Sequence, residues 1–312
     1  MALDRLIEKI VEKQNPTVAG LDPKLAYIPD FIKEEAYDKY GRTLEGAAES
    51  LLVYNKALID ALYDVVPAVK PQAAYYEMYG WQGVKTLAET IAYAKSKGLF
   101  VITDGKRNDI GTTMEAYANA HLGTTDIDGN NASGFGADAL TVNGYLGSDG
   151  INPVINVSKS FNTGMFVLVK TSNPSSGELQ NLELEGSETI YLHMGILCEE
   201  WGKDLMGKYG YSGVGAVVGA TYPEQLTELR KELPHTFFLV PGYGAQGGTA
   251  KDIAGAFDSN GLGAIVNSSR GIMCAWQKEE GCDPKDFAQA ARREAEKMKK
   301  LLTDVTNEIK LP

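Results

Sequence analysis

The chain has 312 residues, of which 44% are apolar and 23% are charged, and its formal net charge is −11. These proportions are typical of a globular protein with a well-buried core. The acidic balance, without any block of Lys and Arg, disfavours nucleic acid and an anionic membrane as partners. An anionic small substrate stays compatible with this charge, because the local field of a binding site can oppose the net charge.

The first predicted element is an amphipathic helix within residues 1–16. Apolar residues at helical spacing share one of its faces: Leu3, Leu6, Ile7, Ile10 and Val11. The acidic residues between them fit neither a secretory signal nor an organelle transit peptide. No run of about 18 apolar residues occurs in the chain, so no membrane span is predicted.

Eight short apolar runs follow, each ending in polar or glycine residues, and helix-like segments lie between them. The runs are 17–22, 66–72, 99–106, 139–146, 165–172, 214–221, 236–241 and 263–269. Most are continuously apolar, the pattern of parallel strands covered on both faces. Eight strand–helix units predict a (β/α)8 TIM barrel. A doubly wound open sheet is the alternative, but it usually has fewer strands, and no GxGxxG follows the first run.

No linker rich in Pro, Gly or Ser divides the chain, so we expect residues 1–312 to form a single domain. Segment 23–50, after the first strand, is expected to hold an extra helix. Segment 173–187, after the fifth strand, is a candidate lid. The last helix is expected to begin with Asp283 as its cap and Pro284 in its first turn, and to continue to about Leu302.

The three cysteines are Cys198, Cys274 and Cys282, and they form no CxxC pair. An odd number of unclustered cysteines disfavours a disulfide framework, so we expect a reducing, cytoplasmic setting. The three histidines are also scattered and show no spacing typical of metal ligands: His121, His193 and His235. No metal site is therefore predicted.

The segment TDGKRNDIGTT, residues 103–113, ends the third predicted strand. Asp104 and Lys106 are two apart, so on a strand both side chains point to the same face, the barrel interior. Asp109 follows on the loop. The triplet alone is equally consistent with an ordinary salt bridge at a strand end. Neighbouring strand ends strengthen a functional interpretation, because Lys70 ends the second strand and Asp22 the first, and unpaired ionisable side chains are costly in apolar strands.

Two segments near the C-terminus suggest a phosphate site. VPGYGAQGG, residues 240–248, follows the seventh strand, and NSSRGI, residues 267–272, follows the eighth. TIM barrels commonly bind phosphate at these loops, where glycines let backbone N–H groups converge on an anion and Arg270 can bind it with two hydrogen bonds. Each segment alone is also consistent with a turn or a surface arginine. The fifth strand ends in KTSNPSS, residues 170–176, whose polar groups could contact the edge of a planar ring, although alone it is more typical of a turn.

These motifs together resemble the orotidine 5′-phosphate decarboxylase family. TDGKRNDIGTT is similar to its Asp-x-Lys-x-x-Asp-Ile signature with a threonine three residues later. AGLDP, VKPQ, TSNP, PGYGAQGG and the final Ser-Arg-Gly resemble its longer bacterial and protozoal branch, and the match covers all eight strand ends. Gly105 and Asn108 depart from the family, whose members often carry alanine and glycine there; neither position needs a functional side chain.

The resemblance implies decarboxylation of orotidine 5′-monophosphate to UMP, the last step of de novo UMP synthesis, without a cofactor. It implies that Lys106 protonates a carbanion-like C6 and that Lys70, Asp104 and Asp109 complete a charged tetrad. It further implies a homodimer in which Asp109, Ile110 and Thr113 reach the partner's site. The remaining substrate-binding residues that it implies are Asp22 for the ribose, Ser172 for the pyrimidine, Gln246, Gly247, Gly248 and Arg270 for the phosphate, and also Pro241 and Ser269.

Three other classes of function remain compatible with the sequence. A magnesium-dependent keto-sugar-phosphate decarboxylase or a hexulose-phosphate synthase shares the Asp-x-Lys-x-x-Asp element but would want an acidic metal ligand where this chain has Lys70. A Schiff-base aldolase would need a neutral, desolvated lysine, which the neighbouring aspartates oppose. A non-catalytic nucleotide-binding protein would not need such a density of charge.

Overall fold

The computed structural model describes residues 1–244, 247–306 and 308–312. Its main sheet is a closed barrel of eight parallel strands. We number them in chain order: β1 Thr17–Leu21, β2 Ala68–Pro71, β3 Phe100–Arg107, β4 Ala139–Val142, β5 Gly164–Lys170, β6 Val214–Val218, β7 Phe238–Val240 and β8 Ala264–Ser268. The predicted (β/α)8 TIM barrel is therefore confirmed. A two-stranded antiparallel ribbon, Thr125–Ile127 with Asn130–Ala132, was not predicted and lies between β3 and β4.

Each barrel strand pairs with its neighbours in sequence, and β1 closes the barrel against β8. Val18 pairs with Ala68 of β2 on one side, and Thr17 pairs with Val266 of β8 on the other. Parallel strands carry their carboxyl ends to the same rim of a barrel. The polar residues that end these strands are therefore brought to one place.

Helices surround the barrel, including the expected helix at the N-terminus and additional helices after β1. In chain order the helices are Ala2–Lys13, Asp30–Tyr40, Leu44–Leu62, Ala74–Glu77, Gly80–Ser96, Gly111–Leu122, Ser148–Phe161, Gly177–Gln180, Ile190–Gly202, Pro223–Glu232, Arg270–Met273, Ala275–Lys278 and Phe287–Thr306. None of the helices in the described ranges is both long and apolar enough to span a membrane.

The last helix begins later and ends later than predicted, and segment 173–187 contains short helical turns. The Asp283 side chain accepts a hydrogen bond from the backbone N–H of Lys285, as a cap does, but a 3-10 turn at Pro284–Asp286 comes before the helix proper. That helix continues to Thr306, beyond the predicted end. Segment 173–187 contains a 3-10 turn, Pro174–Ser176, followed directly by the short helix Gly177–Gln180.

The barrel interior is apolar at its amino-terminal end and polar at its carboxyl-terminal end. Side chains that alternate along the strands, including Phe100, Phe166 and Ile265, form one buried cluster with the first helix. In that helix Leu3, Leu6, Ile7 and Ile10 are fully buried, while Val11 is only partly buried. The first helix thus covers the amino-terminal end of the barrel, and the opposite end carries the cavity described next.

Candidate active site

A cavity of about 590 Å³ opens at the carboxyl ends of the strands. Every barrel strand or the loop that follows it contributes to its wall. The lining residues are Asp22, Lys24, Tyr27, Lys70, Gln72, Tyr75, Asp104, Lys106, Thr141, Leu168, Thr171, Ser172, Asn173, Val217, Leu239, Pro241, Gly242, Tyr243, Asn267, Ser269 and Arg270. The volume is within the range of a pocket for a small organic ligand.

The carboxylate of Asp104 is the centre of the polar network in this cavity. Its Oδ2 accepts hydrogen bonds from Lys70 Nζ at 2.7 Å and from Gln72 Nε2 at 2.9 Å. Its Oδ1 accepts hydrogen bonds from Lys106 Nζ at 2.6 Å and from Thr141 Oγ1 at 2.8 Å. Each carboxylate oxygen thus accepts two hydrogen bonds, and two of the four donors are cationic.

Electrostatics keep Asp104 and Lys70 in their charged forms. Burial raises the pKa of Asp104, but attraction to Lys70 and Lys106 outweighs burial and holds that pKa well below its usual range. Burial also opposes the charge on Lys70, yet the negative charges of Asp104 and Asp22 outweigh it and raise the pKa of Lys70. The site therefore holds fixed charges of both signs near neutral pH, already oriented before any ligand arrives.

Thr141 and an unusual backbone conformation place Lys106. Lys106 has a φ of 47°, in the left-handed region that side-chain-bearing residues rarely adopt. The pairing of β3 with β4 shifts register between Thr103 and Arg107, so Lys106 lies within a local irregularity of the strand. Its backbone N–H donates to Thr141 Oγ1 at 3.0 Å, and the same hydroxyl donates to Asp104. One threonine hydroxyl therefore connects the lysine backbone to the carboxylate that its ammonium contacts.

Asp22 lines the cavity with an unused acceptor. Its Oδ1 is buried and accepts no hydrogen bond from the described residues. A buried carboxylate oxygen without a donor is costly, so it is suited to a donor supplied by a ligand. Asn267, on β8, carries a second buried side-chain oxygen without a donor among the described residues.

Arg270 lies at the part of the cavity formed by the loops after β7 and β8. Its side chain is exposed and has no ion-pair partner within the described ranges. Pro241 and Ser269 also line this part of the cavity. A free guanidinium at this rim is available to bind an anionic group with two hydrogen bonds.

The glycine loop after β7 differs from the expected phosphate cradle. The backbone N–H of Gly247 donates to Gly244 O at 3.0 Å, and that of Gly248 donates to Gly242 O at 3.3 Å. Neither Gly247 nor Gly248 lines the cavity. These two amides are already paired within the loop, so the loop would have to rearrange before they could bind a phosphate. Gln246 lies outside the described residues.

Ser172, just beyond the end of β5, lines the cavity as expected. Its carbonyl oxygen accepts a hydrogen bond from Thr221 Oγ1 at 3.2 Å. The neighbouring backbone is in close contact, because a Cβ added to Gly219 would lie 2.8 Å from the Ser172 Cβ. Ser172 is therefore in contact with the segment that follows β6, through Gly219 and Thr221.

Three residues assigned to a partner's site do not line the cavity of their own chain: Asp109, Ile110 and Thr113. Asp109 Oδ1 accepts a hydrogen bond from the backbone N–H of Ile110 at 2.8 Å, and Ile110 is 52% exposed. Of the predicted charged tetrad, the fold thus brings Lys70, Asp104 and Lys106 together within one chain and leaves Asp109 outside. Whether a second chain receives Asp109 stays a prediction.

Gln72, Thr141, Lys24 and Asn267 line the cavity but were not assigned a role from the sequence. Gln72 belongs to the VKPQ motif, two residues after Lys70, and that spacing could have placed it on the same face. Thr141 lies in the fourth apolar run, where only the pairing of β4 with β3 brings it beside Asp104.

The chain is similar to known proteins in both sequence and fold. Residues 50–282 match the model of the orotidine 5′-phosphate decarboxylase / HUMPS family. An orotidine 5′-phosphate decarboxylase from Rhodopirellula baltica is 46% identical over 286 residues, which cover 91% of this chain and 92% of the relative. One from Caldicellulosiruptor bescii is 45% identical over 274 residues, 88% of this chain and 90% of the relative. The solved OMP decarboxylase of Leishmania donovani superposes with a TM-score of 0.71 at 28% identity, covering 96% of this chain and 98% of that one.

Proposed function

Because this chain belongs to the orotidine 5′-phosphate decarboxylase / HUMPS family, we propose that it converts orotidine 5′-monophosphate to UMP and CO2, the last step of de novo UMP synthesis. One observation carries the proposal: an ionised Asp104 lies between the ammonium groups of Lys70 and Lys106 in the wall of a cavity. Such a group can stabilise developing negative charge and deliver a proton, which this reaction requires.

The nucleotide is assigned to the cavity by the chemistry of its parts. The phosphate binds at Arg270, with Pro241, Ser269, Gln246, Gly247 and Gly248 around it after the rearrangement of the glycine loop. The ribose hydroxyls donate to the free oxygen of Asp22. The pyrimidine edge contacts Ser172, and C6 faces Lys106. Among the described residues, the guanidinium of Arg270 has no ion-pair partner and Oδ1 of Asp22 accepts no hydrogen bond, and both observations support this orientation.

In the reaction, the bond between C6 and the carboxylate breaks heterolytically. The electron pair stays on C6 and CO2 leaves, so negative charge develops beside the ammonium of Lys106. One Nζ proton is then transferred to C6, giving UMP, and Lys106 regains a proton from solvent, to which its side chain is 46% exposed. Asp104 holds Lys106 in place, and Lys70 keeps Asp104 ionised. Fixed charges of this kind lower the barrier without reorganising during the reaction.

We propose further that two chains form a homodimer and that Asp109, Ile110 and Thr113 complete the partner's site. Exposed apolar side chains near this loop support an interface, since Ile110 is 52% exposed and Tyr145 is 74% exposed. The helix Ser148–Phe161, which begins shortly after Tyr145, lies against the Asp109 loop, because a Cβ on Gly150 would lie 2.9 Å from Asp109 O. We also propose that residues 1–312 form one decarboxylase domain. The protein would act in the cytoplasm and would need no cofactor.

The test is the loss of ultraviolet absorbance from orotidine 5′-monophosphate, measured with and without EDTA on protein dialysed against chelator. We expect rapid decarboxylation that EDTA leaves unchanged. Activity that disappears with EDTA and returns with Mg²⁺, or that appears only with a keto-sugar phosphate, would assign the chain to the other branch of the family. Trapping of substrate by borohydride would instead indicate a Schiff base.

A further inference from the structure

Lys170, the last residue of β5, is a buried lysine that the proposed reaction does not use. Its exposed fraction is 0%, and it does not line the cavity. The pairing of β5 with β6 shifts register between Leu168 and Lys170. Such an irregularity redirects the side chains beyond it. The ammonium of Lys170 lies 4.5 Å from the ring centroid of Tyr222 and 5.7 Å from that of Tyr191.

The polar contacts of Lys170 are all to neutral oxygens of the segment that follows the strand. Its Nζ donates to Ser176 Oγ at 2.9 Å and to Asn181 Oδ1 at 2.9 Å. Within the described ranges no carboxylate pairs with it, and burial lowers the pKa of Lys170. A buried amine without a counter-ion costs free energy. Stability of the fold is therefore a poor explanation for a lysine here.

The neighbouring residue, Thr171, holds the same segment from the cavity side. Its backbone N–H donates to Gln180 Oε1 at 2.9 Å, and Gln180 Nε2 donates back to Thr171 Oγ1 at 2.8 Å. Lys170 and Thr171 thus attach residues 174–181 to the end of β5 on two sides. Ser172, the next residue, lines the cavity.

We propose that Lys170 is a positioning residue whose ammonium anchors residues 174–181 to the end of β5 and so fixes Ser172 against the pyrimidine of the substrate. The inference rests on the proposed function, since only that function gives Ser172 a pyrimidine to contact. Lys170 itself does not touch the substrate. It acts through the segment that it holds.

Lys170→Met tests the proposal, because methionine has a similar length and no donor. We expect kcat/KM to fall by about ten- to a hundredfold, mainly through a higher KM, because small displacements of positioning groups have effects of this size. We expect the Tm to stay the same or to rise, because an unpaired buried amine is removed. A lysine with only a structural role would give the opposite result, a lower Tm with unchanged kinetics.

Partner and control variants sharpen this test. Asn181→Ala should change the kinetics of Lys170→Met very little, because Lys170→Met has already removed the contact between the two side chains. Lys203→Met, at a lysine that is exposed and paired with Glu200, should leave the kinetics unchanged. If Lys170→Met does not fold, the double variant Ser176→Ala, Asn181→Ala removes both acceptors instead and should raise KM in the same way. Wild-type kinetics in these variants would overturn the proposal.

A second readout needs no substrate. Segment 173–187 contains Glu178, Glu183 and Glu185, so a glutamate-specific protease can report its opening. We expect Lys170→Met to be cut several times faster than the wild type in this segment, and equal cleavage rates would argue against the anchor. If the wild type does not decarboxylate orotidine 5′-monophosphate, the proposed function fails, while this cleavage experiment still decides whether Lys170 holds the segment.

Discussion

Lys106 Nζ lies 2.6 Å from Asp104 Oδ1, and the two residues are two positions apart on β3. A left-handed backbone at Lys106 and the hydroxyl of Thr141 accompany this contact. Such a conformation costs roughly 1–2 kcal/mol for a residue with a side chain. The surrounding hydrogen bonds offset that cost, so the cation is held in one place before substrate binds.

Removing the ammonium should separate binding from chemistry. Lys106→Ala should bind UMP with an affinity close to that of the wild type, yet lower kcat by at least about 10⁴-fold, because it loses both the stabilising charge and the proton. Calorimetry with UMP and the ultraviolet assay measure the two effects. Lys159→Ala, at an exposed lysine paired with Asp204, serves as the control. CO2 release near the wild-type rate from Lys106→Ala would remove this lysine from the mechanism.

The hydroxyl of Thr141 should matter more than its shape. Thr141→Val keeps the volume but loses the hydrogen bonds to Lys106 N and Asp104 Oδ1, so we expect kcat to fall by about ten- to a hundredfold. Thr141→Ser keeps the hydroxyl and should stay within about threefold of the wild type by the same argument. Steady-state kinetics of the Thr141→Val and Thr141→Ser variants measure this difference in kcat. Equal activity of the valine and serine variants would show that the hydroxyl does not position Lys106.

Arg270 should act only on substrates that carry a phosphate. Arg270→Ala should lower kcat/KM for orotidine 5′-monophosphate by about a hundred- to a thousandfold, because a bidentate charged contact is lost and remote binding energy supports the chemical step. Orotidine, which lacks the phosphate, should react at the same slow rate with both enzymes. Arg293→Ala, at an exposed arginine paired with Glu279, is the matched control. If wild-type protein consumed orotidine as fast as the nucleotide, the phosphate assignment would be wrong.

Mixing two inactive variants tests the shared site. Lys106→Ala and Asp109→Ala should each be inactive alone. A hybrid dimer combines the intact Lys106 of one chain with the intact Asp109 of the other, so activity should return after the two are mixed and allowed to exchange subunits. The ultraviolet assay follows its return. Failure to recover activity while mass measurement detects hybrid dimers would place Asp109 outside the partner's site.

His121 should make the free energy of unfolding depend on pH. Burial lowers the pKa of His121 to about 4, and its ring stacks on Phe135. The unfolded chain takes up this proton near pH 6.5 and the folded chain only near pH 4, so stability is lost as pH falls through that window. From pH 7 to pH 5 the loss should be about 2 kcal/mol. Urea denaturation at both pH values should show a smaller loss in His121→Phe; an unchanged pH dependence in that variant would contradict the assignment.

Patterns along the chain predict the barrel and part of its site. Continuous apolar runs mark strands covered on both faces, and the two-residue spacing of Asp104 and Lys106 places both side chains at the same end. Side-chain contacts between strands cannot be predicted in this way, because they depend on the register in which the strands pair. Thr141 meets Asp104 only because β4 pairs with β3 where the register shifts. Likewise, the glycine-rich composition of residues 242–248 predicts a turn but not that the amides of Gly247 and Gly248 are paired within it.

The helix Ala2–Lys13 affects how substrate can enter the cavity and how products can leave it. Its leucines and isoleucines pack with Phe100, Phe166 and Phe237 beneath the site, so among the described residues the barrel floor is filled with side chains. As far as the described residues show, the cavity is therefore closed towards the amino-terminal end of the barrel and opens at the carboxyl-terminal end. With the proposed placement of the nucleotide, CO2 formed beside Lys106 would leave through that same opening. A small molecule that blocks this opening should therefore slow both substrate binding and product release.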